Sequence, residues 1–245
     1  MIGKLVVTVP VINQYGWTSC ILHELLVKTA NPCKKLIIDN GSTDELTKDM
    51  LRSVDGHRDF TVLRNEENMG VARAWNQAVE WAKNEGAKYL AILNNDLILP
   101  ASWDEIMLEP LQEEDVYVSS IAPDKRNIFC AFCFMVKTEL FEKIGTFSEE
   151  FGKYECEEQD FIVRMKLAGI KFKNILAKDH PYFFHAGGQS QKELFADSHA
   201  VHLHRVEASD KFYAKWGHLM SNFWDFVDDN SYKRSLRQKR ILQAT

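Results

Sequence analysis

Tyr89-Leu-Ala-Ile-Leu-Asn94-Asn95-Asp96-Leu-Ile-Leu-Pro100 is an apolar run that stops at three polar residues, resumes, and ends at a proline. Short and aliphatic, the run reads as a strand buried on both faces. Asn94, Asn95 and Asp96 then stand at its carboxyl end, the edge of an open α/β sheet where ligands bind. A carboxylate flanked by two amides offers hard oxygen ligands, which suit Mg²⁺ or Mn²⁺ better than zinc. Taken alone, the stretch reads more simply as a strand-ending turn, because Asn and Asp are turn residues.

The segments before it change that balance. Lys4–Pro10 is β-branched and predicts a first strand, with Val11–Tyr15 as the loop at its carboxyl end. Apolar residues at helical spacing over Trp17–Thr29 predict a helix. Lys35–Asp39 and Phe60–Leu63 predict two more strands. Between them, Asn40–Asp44 forms a turn running into a helix cap, with Glu45 in the first turn. Asn68-Met-Gly70 opens a long helix over Val71–Asn84. Four strands alternating with three helices indicate a parallel, doubly wound α/β sheet.

Beyond Pro100 the alternation loosens. Trp103–Leu108 predicts a short helix, Val116–Ile121 a strand and Asn127–Val136 a longer strand. Thr138–Ile144 and Glu155–Leu167 predict helices, each ended by a glycine. Lys171–Leu176 and the aromatic Pro181–His185 predict strands, Ala186–Ser190 a glycine-rich loop, and His202–Trp216 a late helix. The expected organisation is one domain over 1–245: a ligand-binding half at 1–100, a second half at 101–220 and a tail at 221–245.

The chain has 245 residues, 45% hydrophobic and 27% charged, the profile of a globular protein with a sizeable core. Its net charge of −5 gives no global drive toward nucleic acid or acidic membrane, although it does not exclude nucleic acid. No apolar run approaches the ~20 residues of a membrane span, and the start lacks the features of a signal peptide. Five cysteines at irregular spacing argue against a disulfide framework and for a reducing, cytoplasmic setting. Cys130 and Cys133, three apart in an apolar run, read as buried thiols on opposite faces of a strand. His199, His202 and His204 lack the ligand spacing of a zinc site. The five cations in the nine residues Tyr232–Arg240 read as a solvated helix end.

Four stretches, in order, resemble the family 2 glycosyltransferases, nucleotide-sugar-dependent enzymes of the GT-A fold. Ile37-Ile-Asp39-Asn40-Gly41-Ser42-Thr43-Asp44 is similar to their D-N-G-S-x-D segment. Asn68-x-Gly70-x-Ala72-x-Ala74-x-Asn76 is similar to their N-x-G-x-x-x-A-x-N helix start. Asn94-Asn95-Asp96 stands at their D-x-D. Phe147–Phe151, Glu157–Asp160 and Leu167–Gly169 resemble an F-D-E-x-F … E-D-x-D … L-A-G block. The likeness covers roughly Leu5–His185, and its strength lies in the ordered set.

The resemblance implies a Rossmann-like GT-A sheet, mostly parallel and flanked by helices, with a small acceptor-side subregion. It implies that Pro10 and Val11 line a base pocket and that Asp39 contacts base or ribose. Gly41 lets the backbone turn closely there. Asn68 and Gly70 open a helix whose N–H groups support the donor site or are simply capped. Asn94 and Asn95 face the donor nucleotide. Asp96 holds Mn²⁺ or Mg²⁺ against the diphosphate, and Asn94, standing where the family carries its first Asp, removes one negative charge. His185, in Phe184-His-Ala-Gly-Gly-Gln-Ser190, resembles a late H-x-G-G-x-S element that completes the metal shell.

In the E-D-x-D resemblance the base falls at Glu158, one methylene longer than the family's Asp. Glu157 binds acceptor hydroxyls, and the assignment between the two glutamates stays open. Asp160 is an orienting or structural acid. Trp216, in a K-W-G, is a sugar-stacking ring or a core residue. The implied activity is transfer of a sugar from a UDP- or dTDP-linked donor to a hydroxyl of a glycan or other acceptor, with inversion and divalent-metal assistance. A non-catalytic nucleotide-sugar or glycan-binding protein on the same fold is the alternative. A nucleotidyltransferase is disfavoured, because Val11–Tyr15 lacks a basic, glycine-rich phosphate loop.

Overall fold

A computed structural model describes residues 4–123, 129–180, 182–188, 198–220 and 222–228. The first half alternates as its sequence predicts: β1 Leu5–Val11, α1 Tyr15–Lys28, β2 Cys33–Asn40, α2 Glu45–Val54, β3 Phe60–Asn65, α3 Val71–Asn84 and β4 Tyr89–Leu93. Then follow β5 Leu97–Ile98, α4 Trp103–Leu108, β6 Val116–Ala122, β7 Cys133–Lys137, α5 Leu140–Ile144 and α6 Glu157–Leu167. The described chain continues with β8 Lys171–Leu176, β9 Phe184–His185, α7 Ser198–Trp216 and α8 Phe223–Asp228.

Seven strands form one sheet in the order β3-β2-β1-β4-β7-β6-β8. The pairs β1–β2, β2–β3, β1–β4 and β6–β8 are parallel, and β7 runs antiparallel to both β4 and β6. Parallel strands covered on both faces must be apolar throughout, and β4 is buried at every residue. Its side chains divide between two cores. Leu90 and Ile92 face α3 and α6, while Tyr89, Ala91 and Leu93 face α1 and α4. The chain reversal between β1 and β4 places the carboxyl ends of β1, β2 and β4 side by side.

The segment after Asp96 is fastened to α1 by buried charge. Glu24 accepts the Leu99 N–H at 2.8 Å, and Lys28 donates to the Leu99 carbonyl at 2.6 Å. Asp104, fully buried, accepts the N–H groups of Ala30 and Asn31 at 2.9 and 2.8 Å. A buried carboxylate must be hydrogen-bonded, and these backbone donors supply that.

Three expectations are corrected. The strand expected over Asn127–Val136 begins only at Cys133; Asn127 and Ile128 lie outside the described residues. Ala131 and Phe132 form a turn instead, from which the Phe132 carbonyl accepts the Asn94 N–H at 2.8 Å in continuation of the β4–β7 register. Cys130 is therefore not on the strand with Cys133, whose Sγ lies 3.7 Å from the Met107 sulfur. The helix expected from Glu155 starts at Glu157, because Glu155 and Cys156 have positive φ of 77° and 67°. Only Phe184 and His185 of the aromatic run pair as a strand, with β5. Pro181, Gln189, Ser190 and Tyr232–Arg240 lie outside the described residues.

Candidate functional site

Asp96 is 3% exposed, and its Oδ1 accepts no hydrogen bond. The nearest partner is Nε2 of His185, at 3.3 Å. The β5–β9 ribbon makes this meeting: Leu97 pairs with His185, and the Asp96 carbonyl accepts the Ala186 N–H at 3.0 Å. Phe132 stacks on the imidazole with ring centroids 4.3 Å apart, which fixes the ring plane. Asn94 completes the group, its amide 3.5 Å from His185 Nε2.

A buried carboxylate oxygen without a donor calls for a proton or a cation. Carboxylate, imidazole and amide together fit a small divalent ion with one negative charge to offer. Among the described residues no three His, Cys, Asp or Glu side chains converge as metal ligands, so the third donor here is the neutral Asn94. Asn95 does different work. It is buried and donates to the Thr18 hydroxyl at 3.1 Å, tying the end of β4 to α1.

A small cavity of about 70 Å³ opens at the carboxyl ends of β1 and β4, lined by Pro10, Val11, Asn68, Asn94, Asn95 and Lys153 among others. Asp39 lies behind this wall, 1% exposed. Its Oδ1 accepts the Ser42 N–H at 2.9 Å, and its Oδ2 is paired with the Arg64 guanidinium. Arg64 also donates to the Ser42 carbonyl at 2.9 Å. Sequence reasoning missed Arg64. The signal was the strand register: Asp39 pairs with Arg64 once β3 is extended past Leu63.

Gly41 has φ +84°, and a Cβ there would lie 2.4 Å from the Glu67 carbonyl carbon. The turn after β2 thus packs directly on the backbone that leads into α3. Asn68 accepts the Gly70 N–H at 2.8 Å and the Asn40 amide at 3.2 Å, so its carbonyl is a cap. The Val71 N–H, at the start of α3, is given to the Lys153 carbonyl at 2.7 Å, in line with the capping alternative for this helix start.

A larger cavity of about 330 Å³ joins the strand edge to the start of α6. Asn94, Asp96, His185, Glu157 and Glu158 all line it, with Phe132 and Tyr154 in its wall. Removal from water pushes the Glu158 carboxyl up to about 8, and the charges of Glu157 and Glu155 add to this; the Ala131 N–H opposes it. Burial likewise pushes Glu157 up to about 7.

Asp160 and Trp216 are brought together, but neither is in the cavity lining. Asp160 is fully buried, accepting from Trp216 Nε1 at 2.9 Å and from Arg164 Nε at 2.7 Å, with Lys215 Nζ 2.8 Å away. The indole is thereby committed to locking α7 onto α6. His204 is 2.7 Å from the Tyr154 carbonyl, a packing role rather than a zinc-ligand one.

An open sheet with an opening at its switch point, a carboxylate–imidazole pair at the strand edge and an acid pair across the larger cavity is the GT-A arrangement of the glycosyltransferases. The chain belongs to glycosyl transferase family 2, whose family model matches residues 6–169. An uncharacterized glycosyltransferase of Rickettsia felis is 30% identical over 124 residues, 51% of this chain and 20% of that protein. The chain thus spans about a fifth of the length of the curated relatives it matches.

Among solved structures, a mannosyltransferase from Pyrobaculum calidifontis, PcManGT, in complex with GDP-Man and Mn²⁺, superposes with a TM-score of 0.60. It is 15% identical, and the match covers 100% of this chain and 81% of that one. S. aureus TarS 1-349 in complex with UDP gives 0.54 at 18% identity, covering 74% and 59%. At these identities the likeness establishes the fold.

Proposed function

We propose that the chain transfers a sugar from a nucleoside-diphosphate sugar, UDP- or dTDP-linked, to an acceptor hydroxyl with inversion. The observation that carries this is the shared cavity: the unpartnered Asp96 Oδ1 and His185 on one side, the desolvated Glu157 and Glu158 on the other. A structural neighbour holding GDP-Man and Mn²⁺ supports a nucleoside-diphosphate-sugar donor with a divalent ion, and one holding UDP supports the uridine member of the pair.

In this reading Pro10 and Val11 flank the base, with Arg64 and Asp39 at the edge of its pocket. Asp96 and His185, with Asn94, hold the divalent ion. When bound, Mg²⁺ or Mn²⁺ supplies the positive charge that stabilises the departing diphosphate and favours the ionised form of Glu158 across the cavity. Glu158 takes the proton of the acceptor hydroxyl as that oxygen bonds to the anomeric carbon. The bond from that carbon to the phosphate oxygen breaks on the opposite face, and the electron pair leaves with the diphosphate. Glu157 holds the acceptor through its hydroxyls. The acceptor is a glycan or another hydroxyl-bearing molecule.

No helix of the described residues is long and apolar enough to cross a membrane, and none of the five cysteines is in a disulfide. A cytoplasmic setting is part of the proposal. The rival reading, a non-catalytic nucleotide-sugar or glycan-binding protein, draws on Asn94 and Glu158, which stand where the family carries Asp.

Thermal shift with nucleoside diphosphates, with and without Mn²⁺, followed by assay of donor hydrolysis, tests both. A ligand at 100 times its Kd adds about 2.7 kcal/mol of stability. The transfer reading expects a shift enlarged by Mn²⁺ and slow donor hydrolysis. No shift with any nucleoside diphosphate would end it, and binding without turnover would favour the rival.

A further inference from the structure

The acid pair sits on a strained turn. Glu155 and Cys156, neither a glycine, both adopt left-handed backbone immediately before α6. Such conformations persist only where surrounding structure over-determines them, and they cluster where strain serves a site. Two neighbours supply the constraint here.

On one side, the Lys153 carbonyl accepts the Val71 N–H at the start of α3. On the other, α7 grips the next two residues. The His204 ring stacks on Tyr154 with centroids 4.7 Å apart and planes 21° from parallel, and its Nε2 lies 2.7 Å from the Tyr154 carbonyl. A carbonyl only accepts, so this nitrogen carries a proton. The ring also covers Gly152, where a Cβ would come within 2.7 Å of His204 Cε1. Arg205, the next residue, donates from Nε to Glu155 Oε1 at 2.8 Å. Both residues lie beyond the segment matched by the family model, which ends at 169.

We infer that His204 and Arg205 are positioning residues of the transfer reaction, holding the Gly152–Cys156 turn so that Glu157 and Glu158 face the cavity. The inference rests on the transfer reading above. Arg205 has a second effect through Glu155: it balances a charge that otherwise disfavours ionisation of both glutamates. The groups facing that pair are Glu155 on the turn, Asp96 after β4 and His185 on β9. Of the turn, Lys153 lines the small cavity beside Pro10 and Val11, whereas Glu157 and Glu158 follow it into the larger one, so the grip acts on turnover more than on donor affinity.

The test compares H204A and R205M with H204Q and R205K in the full chain, reading kcat and donor KM together with labelling of Cys156. That thiol is buried, and its pKa is pushed up to about 12, so iodoacetamide spares it in the native turn. A misplacement of about 1 Å in a catalytic group costs up to ~10²-fold in rate, so H204A and R205M are expected to lose ~10–100-fold in kcat. Donor KM stays within about twofold if the donor half is untouched. Cys156 becomes labelled in both, as read by peptide mass. H204Q, which can still donate to the Tyr154 carbonyl, and R205K, which can still pair with Glu155, recover most of kcat. Full kcat in both H204A and R205M overturns the inference, as does Cys156 labelling unchanged from wild type. Should H204A fail to fold, R205M, altered at a half-exposed side chain, decides the matter. A wild-type chain that binds donor but never turns over removes the transfer reading, and the Cys156 labelling still decides whether α7 holds the turn.

Discussion

Asn76 holds the backbone of Phe147 from both sides: its Nδ2 donates to the Phe147 carbonyl and its Oδ1 accepts the Phe147 N–H, each at 2.9 Å. One side chain thus replaces a strand partner for a loop residue. It ties α3, in the first half of the chain, to the loop that leads to Glu157 and Glu158. Phe147 itself packs among Trp75, Phe134 and Phe161.

Replacing Asn76 by Ala leaves two backbone groups of Phe147 without partners. A buried unsatisfied group costs about 1–3 kcal/mol. Urea unfolding of N76A is expected to show a loss of about 2–4 kcal/mol on that basis, with an unchanged m-value. A loss below half a kilocalorie would mean that water or a neighbour replaces the amide.

Asp96→Asn removes the charge but keeps the shape. Its Oδ1 accepts no hydrogen bond and meets only His185 Nε2, at 3.3 Å, so the Tm without ligand is expected to change little. The additional stabilisation by Mn²⁺ in the presence of a nucleoside diphosphate disappears. Retention of the Mn²⁺ increment in the variant would relocate the ion away from Asp96.

Glu158 links rate and stability to pH. Both glutamates are raised above their ordinary value of 4.5 in the folded chain. Below about pH 4.5 they are protonated in both states and cost nothing. As pH rises toward 8 the unfolded chain ionises first, the folded chain binds more protons, and stability falls. Glu158→Gln is therefore expected to be more stable than wild type at pH 8.5, with the gap closing toward pH 4.5. A general base is active when ionised, so wild-type kcat/KM rises with pH through this range. The Gln variant loses ~10²–10⁴-fold in kcat where wild-type Glu158 is ionised, and the difference shrinks as falling pH protonates the wild-type base. Equal stability of the two proteins across the whole range would show that Glu158 is solvated rather than desolvated.

Gly41→Ala tests the close approach after β2. The residue has positive φ, and its Cβ would overlap the Glu67 backbone, which cannot rotate away. Strain of this kind costs about 1–3 kcal/mol before the clash is counted. G41A is expected to unfold at least several degrees below wild type and to bind nucleoside diphosphate more weakly. A variant with native Tm would require the two loops to separate freely.

The first half of the fold was legible in the sequence, because burial on both faces of a parallel strand leaves a continuous apolar run. Tyr89–Leu93 and Val71–Asn84 form the elements their patterns predict. Asp96 was legible as well, since a polar triplet at the end of a buried strand sits at a sheet edge whatever lies around it. Neighbours distant in the chain set the remaining features. Asp39 reads as a ligand in its motif, and the β2–β3 register adds Arg64 as its partner, which no local pattern shows. Trp216 reads as a sugar platform or a core residue, and the buried carboxylate of Asp160 takes its N–H. Ala131 and Phe132 read as strand, but Asn94 and Glu158 claim their backbone groups. Periodicity reports which face of an element is dry, a local property. The partner of a polar group, the hand of a strained turn and the proton affinity of a carboxyl depend on what the fold packs against them, and only the tertiary structure decides that.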